Sequence, residues 1–139
     1  MLGENDFIRP MGGLARTSEL YAEGYWQSLL QWSKWYGTII HVSRGWWANP
    51  ETPRLALDAR RAGGRLACVS ALEMYGESAG DGRLHVAFER TSKGPRQPDV
   101  VAHWSRRTLP GGRLAVSVEV AREQAARCPY NQSRFLNER

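Results

Sequence analysis

Residues 17–48 read TSELYAEGYWQSLLQWSKWYGTIIHVSRGWWA, and the glycines in that stretch divide it into elements. Thr17 to Gly24 predicts a short helix, capped by Thr17 and ended by Gly24 in the left-handed conformation. A second helix follows from Tyr25 or Trp26 to Tyr36, and Gly37 stops it. Two helices joined at a single glycine have helix-turn-helix spacing. Thr38 to Ser43 is β-branched and partly alternating, which is a strand pattern. Arg44-Gly45 makes a tight turn, and Trp46-Trp47-Ala48 returns as a second strand. Asn49-Pro50-Glu51-Thr52-Pro53 then breaks the pattern. Helix, helix, hairpin is the order of a winged helix-turn-helix, with its boundary at residue 52.

Periodicity assigns faces to the second helix. At about 100° per residue, Tyr25, Leu29, Trp32 and Tyr36 form one stripe, expected to face inward. Gln27, Gln31 and Lys34 lie opposite, bordered by Ser28, Leu30 and Trp35. Working outward, Arg54 to Ala62 predicts a helix ended by Gly63-Gly64. Leu66 to Val69 is a short apolar run, and Ser70 caps a brief helix from Ala71 to Tyr75. Leu84 to Glu89 and Val100 to Arg106 read as strands flanking a basic loop, Arg90 to Pro98. Leu114 to Val118 reads as a strand entering a helix that runs to about Arg127. The last residues, from Tyr130 to Arg139, are expected to fray or to be truncated. The expected fold is therefore α+β: a winged helix-turn-helix over residues 1–52, then a small α+β domain over 53–139 with a short antiparallel sheet.

Charge is distributed unevenly. The chain carries 19 Lys and Arg against 14 Asp and Glu. Residues 1–53 hold four basic and five acidic side chains, so the positive excess belongs to residues 54–139. A basic balance suggests a polyanionic partner, and arginine suits bidentate phosphate contacts. No run approaches the roughly 18 apolar residues of a membrane span, and the N-terminus lacks a signal-peptide apolar region. The expected location is cytoplasmic, with no membrane partner.

Catalytic patterns are weak. Ser70 precedes a helix without a G-x-S-x-G turn, and no phosphate-binding glycine loop is present. Asp99 with nearby acids has no Asp/Glu-x-Lys to complete a nuclease pattern. His85 and His103 lie on predicted strands, but no Cys or carboxylate sits at zinc-site spacing beside them. Cys68 and Cys128 match neither a CxxC pair nor a disulfide framework, and read as two reduced, buried thiols. The expectation is no enzyme activity, no metal and no cofactor.

A family resemblance enters through particular residues. The run from Gly13 to Leu20 (GLARTSEL), then Gly24, Leu30, Gly37 and the hairpin Ile39 to Trp47 (IIHVSRGWW) resembles the N-terminal winged helix of AbiEi-type antitoxins. These are the DNA-binding members of type IV toxin–antitoxin, abortive-infection systems. Gly63 to Leu72 (GGRLACVSAL), Leu84-His85-Val86, and Val100 to Arg106 (VVAHWSR) are similar to the following region in short actinobacterial and actinophage forms. The resemblance spans roughly residues 13–127. It implies operator binding, autorepression and neutralisation of a nucleotidyltransferase toxin; a phage repressor is the related expectation. Two departures stand out. Family recognition helices and wings are rich in arginine, whereas this helix offers Gln27, Gln31, Trp32 and Trp35. The family also carries a longer C-terminal domain, needed for neutralisation.

The candidate contacts to a double-stranded DNA operator follow. Gln27, Ser28, Gln31 and Lys34 are placed for base edges, since glutamine pairs with adenine and lysine reaches guanine acceptors. The plain alternative is a solvated helix face. His41, Ser43 and Arg44 sit on the wing, and Arg16 lies near the first helix start. The pairs Arg60-Arg61 and Arg106-Arg107, with Arg65, are candidate phosphate clamps, or ordinary surface charges. Operator recognition by two half-sites implies a homodimer. The second expectation is a protein-interaction module that binds a toxin or host protein through exposed tryptophans. A small core accounts for Trp32 and Trp46, which leaves Trp35 and Trp47 as the interface candidates.

Overall fold

In the computed structural model, which describes residues 3–90 and 92–130, Trp46–Ala48 (β3) is the central strand of an antiparallel sheet. Leu14–Arg16 (β1) pairs on one side, with Ala15 opposite Trp47, and Ile40–Ser43 (β2) pairs on the other, with His41 opposite Trp47. A register shift between His41 and Ser43 leaves Val42 as the extra residue, which a bulge accommodates. The chain enters this sheet through a short helix α1 (Glu4–Ile8) and a 3-10 turn (Arg9–Met11). Neither α1 nor β1 was expected from the sequence.

Two helices lie between β1 and β2: α2 (Thr17–Ala22) and α3 (Gln27–Trp35). Gly24 and Gly37 both have positive φ, at 107° and 75°, so each terminates its helix as glycine permits. Thr17 is not the cap of α2. Its hydroxyl accepts a hydrogen bond from the Trp47 indole N–H at 2.8 Å, and the Glu19 carboxylate accepts from the Arg16 backbone N–H at 2.8 Å. Ile8, Ala15, Leu20, Tyr25, Leu30, Ile39 and Trp47 form the core beneath these helices.

The second half builds a separate three-stranded sheet in the order β4 (Arg65–Leu66), β5 (Leu84–Glu89), β6 (Val100–Ser105). Strand β4 runs antiparallel to β5, but β5 and β6 are parallel, with Ala87 opposite His103. The expected short antiparallel sheet is thus a mixed one. The loop between β5 and β6 doubles back beside the sheet before β6 begins. There the Arg96 N–H donates to the Ala62 carbonyl at 2.9 Å. At Gly94, a Cβ would meet the Trp104 ring at 2.7 Å, so the close approach excludes a side chain.

Helices α4 (Arg54–Ala62), α5 (Cys68–Met74) and α6 (Val118–Arg127) supply the rest of the second core around Leu66, Val86, Phe88 and Val116. Helix α5 begins at Cys68 rather than Ala71. Ser70 therefore lies inside it, where its hydroxyl donates to the Arg83 carbonyl and accepts from the His85 N–H. The expected strand at Leu114 to Val118 is reduced to isolated bridges at Ala115 and Val116, and Ser117 caps α6 by accepting from the Val120 N–H at 3.2 Å. The expectation of fraying falls, beyond Tyr130, on residues 131–139, which lie outside the described residues.

The two sheets are tied together around residue 52. Thr52 is buried, and its hydroxyl lies 2.8 Å from the Gly13 carbonyl and 2.6 Å from the Asn49 side-chain oxygen. Leu57 of α4 packs with Leu14, Val42 and Ala48 of the first sheet. Arg113 reaches across to Glu19, with both N···O distances at 2.6 Å. Among the described residues, no helix is long and apolar enough to cross a membrane.

The bonds from Arg113 hold the Glu19 carboxyl down at about 2, against 4.5 ordinarily. A depressed carboxylate stabilises the folded state above its unfolded value and loses that contribution as pH falls through the folded value. Stability measured by denaturant melts is expected to decline from pH 4.5 toward about 2. Glu19→Gln is expected to flatten that part of the decline, and an unchanged slope would exclude the pair as its source.

Candidate nucleic-acid interface

Helix α3 is exposed along most of its surface. Only Leu30 and Ser33 are buried, with Leu29 half-buried. Gln27, Ser28, Gln31 and Lys34 all face solvent. The aromatic stripe, however, does not turn inward as expected. Trp32 is 60% exposed and Tyr36 is 70% exposed, their rings stacked at 5.5 Å. The cause is Tyr25. It is buried, and its hydroxyl donates to the Gly3 carbonyl at 3.1 Å. Trp26 after it is extended (φ −132°, ψ 164°), and the helix begins only at Gln27. A phase extrapolated from Tyr25 therefore carries a non-helical step, and the inward side falls on Leu30 and Ser33 instead of Trp32 and Tyr36.

The outward face of α3 thus mixes amides with aromatics. Trp26, Gln27, Ser28, Gln31 and Trp32 line a shallow groove of about 520 Å³, and Gln31, Trp32 and Trp35 line a second. Trp35 is 85% exposed, as an interface candidate should be. Trp47 is not: it is 4% exposed, because β1 covers the strand edge that the hairpin reading left open. Its ring lies against His41 at 4.7 Å.

The β2–β3 hairpin shares the first core with α3 through Trp47 and Leu30. Burial, and then the charge of Lys34, push His41 below its ordinary value. Arg44 and Gly45 at the turn are exposed. Ser43 does not present its hydroxyl outward; that oxygen is covered and has no hydrogen-bond partner among the described residues.

Behind the hairpin lies a cleft of about 760 Å³ lined by Arg16, Arg60, Arg65, Arg90 and Arg113, with Glu89 as the one carboxylate among its lining residues. Arg16 and Arg60 both lie over the Trp46 ring, at 4.9 and 4.7 Å from its centroid, a cation–π arrangement. Burial, and then the charges of Arg16, Arg96 and Arg65, bring Arg60 down to about 10. Its buried Nε has no hydrogen-bond partner among the described residues. Trp46 therefore serves as a platform between cations rather than as a core residue, and it is half-buried.

The arginines expected to clamp phosphate divide into two groups. Arg65 is structural: its guanidinium meets Glu89 at 2.7 and 2.8 Å, also donates to the carbonyls of Leu109 and Gly112, and is 12% exposed. Arg61 donates to the Val42 carbonyl at 3.1 Å and pairs with Asp58 at 3.6 Å, joining α4 to β2. Arg16, Arg44, Arg106 and Arg107 are exposed. The free cations are therefore fewer than sequence counting implies. Arg90 of the cleft was missed, because it was read only as part of a loop.

The histidines and cysteines also depart from expectation. Cys68, His85, His103 and Cys128 bring one ligand atom each to within 4.8 Å of one another. Asp81 sits 2.8 Å from His85 Nε2. Both cysteines and a carboxylate do stand beside the histidines, at spacings no short motif describes. No known family model matches the chain, and no curated protein shows significant similarity to it.

The partition of arginines is open to test. Removing one partner of a buried ion pair costs about 3–5 kcal/mol, whereas exposed charges contribute about 0.5 kcal/mol or less. Glu89→Ala is expected to lower stability by about 3 kcal/mol, and Arg107→Ala to leave it unchanged, as read by denaturant melts. Equal effects would remove the distinction between structural and free arginines.

Proposed function

We propose that the chain is a double-stranded-DNA-binding regulator of winged helix-turn-helix type, similar to AbiEi-type antitoxins or phage repressors, that represses its own or a neighbouring promoter. The observation that carries this reading is the exposed row Gln27, Ser28, Gln31 and Lys34 on α3. A helix about 10–12 Å across enters a major groove about 12 Å wide, and the nine residues of α3 give it a length of some 14 Å at about 1.5 Å each. In this reading Gln27, Gln31 and Lys34 meet base edges and Arg44 follows the minor groove or backbone. Arg16, Arg60 and Arg90 in the neighbouring cleft attract phosphate. Two copies reading two half-sites complete the arrangement.

A second reading has its own observation. Trp26, Trp32, Trp35 and Tyr36 are all exposed on or beside one helix of the described chain. Aromatic clusters of that kind are enriched at protein interfaces. In that case α3 docks a toxin or a host protein.

Selection of duplexes from a random pool by the full chain, followed by titration of the enriched duplex, decides between them. The double variant Gln31→Ala/Lys34→Ala is expected to weaken binding by about ten- to a hundredfold, since a good side-chain–base pair contributes about 1–3 kcal/mol. Its melting temperature should not change. Arg44→Ala is expected to reduce the slope of log K against log salt by about 0.9, one phosphate's share. Failure to enrich any duplex, or unaltered affinity in the double variant, overturns the DNA reading and favours the protein partner.

A further inference from the structure

Four side chains from four different elements meet at one end of the second sheet. Cys68 opens α5, His85 follows the first residue of β5, His103 lies on β6, and Cys128 ends α6. They are both cysteines of the chain and two of its three histidines. Three are buried and His103 is half-buried. His85 Nδ1 stands 3.0 Å from His103 Nε2 and 3.9 Å from the Cys128 sulfur, and all four ligand atoms lie within 4.8 Å of one another. We propose that these residues form a structural zinc site of the Cys2His2 type.

The geometry fits that ion. Zinc takes nitrogen at about 2.0–2.1 Å and sulfur at about 2.3 Å in a tetrahedron, so its ligand atoms stand roughly 3.3–3.8 Å apart. The observed separations bracket that range. The longest must close by only about 1 Å, a side-chain adjustment. Two imidazoles and two thiolates are the donor set that zinc prefers to calcium or magnesium, which take oxygen.

The surroundings supply what a metal-binding histidine requires. An ionised carboxylate only accepts, so Asp81 at 2.8 Å accepts a hydrogen bond from His85 Nε2–H, which keeps the proton on Nε2 and leaves the Nδ1 lone pair facing the cluster. The Ser70 hydroxyl accepts from the His85 backbone N–H at 2.9 Å and anchors the start of β5. Gln124, one turn before Cys128 on α6, accepts from the Cys68 N–H at 2.9 Å. Cys68 itself has φ of 53°, a left-handed conformation uncommon outside glycine. Arg83 lies over the Tyr130 ring at 4.3 Å, and that ring stands edge-on to His85.

Four protein ligands leave no open position for water or substrate, so the ion is structural and not catalytic. Its entry releases two thiol protons, one from each cysteine, and the dication with two thiolates and two neutral imidazoles is neutral overall. The ion then joins α5, β5, β6 and α6, which otherwise meet through a small core. Separations of 17, 18 and 25 positions along the chain hide the set from any short motif.

The test uses the full chain purified without chelator. Elemental analysis is expected to give one zinc per chain, and mass spectrometry under denaturing conditions two free thiols. Exchange into cobalt(II) is expected to produce the intense visible bands of a tetrahedral site and a thiolate-to-cobalt charge-transfer band. Chelation should lower the melting temperature, and added zinc should restore it. His103→Ala and Cys128→Ser should each lose the stoichiometric metal and the tetrahedral cobalt spectrum. If either variant fails to fold, the wild-type cobalt spectrum still decides. Three outcomes overturn the proposal: a folded chain without metal that zinc neither binds nor stabilises, a Cys68–Cys128 disulfide, or full zinc content retained in both variants.

Discussion

The central place of β3 in the first sheet governs what the N-terminal half can expose. With β1 on one edge and β2 on the other, Trp47 is enclosed and can hydrogen-bond Thr17 at the corner where α2 begins. That core is then filled by one tryptophan, one tyrosine and a few aliphatic side chains. No room remains for Trp26, Trp32 or Trp35, which stand outside. Burial of each would remove a large apolar area from water, but close packing limits how many large rings so small a core admits. The exposed aromatic face of α3 is therefore a consequence of a filled core, whatever ligand meets it.

The arginines are sorted by a similar competition. A guanidinium brought into the interior is costly unless its donors are satisfied. Arg65 finds Glu89 and three carbonyls, and becomes a strut linking β4 to the chain after β6. Arg113 finds Glu19 and joins the two halves. Arg16 and Arg60 lie over the face of Trp46, which offers attraction without neutralising their charge. Of the arginines lining the cleft, Arg65 and Arg113 are thus paired with carboxylates, whereas Arg16 and Arg60 are held against an aromatic ring.

In the second half, the parallel pairing of β5 and β6 does the positioning. Parallel register puts Ala87 opposite His103 and His85 opposite Val101, so the two histidines are diagonal neighbours on one face. An antiparallel return of the same two strands would reverse that register and place different residues opposite His85. The cysteines arrive from helices that begin and end at the same edge. The convergence of four soft ligands is thus a property of topology, and it links the proposed metal to the fold rather than to any contact with DNA.

Sequence alone determined the local elements wherever a short-range cause acts. Pro53 and Gly63 bound α4, the Arg44-Gly45 turn defines the hairpin, and apolar runs mark β5 and most of β6. The exposed row Gln27, Ser28, Gln31 and Lys34 was also legible, because helical periodicity needs no partner. Tertiary structure decided the rest. Strand β1 exists because β3 offers it an edge. Tyr25 is buried outside the helix whose phase it was used to set. Arg61 and Arg65 are occupied, and Cys68, His85, His103 and Cys128 meet across the chain. Local patterns report backbone preference and solvent-facing period. Pairing of distant strands and the partners of a buried charge depend on which segments pack together, and that information appears only when the chain is folded.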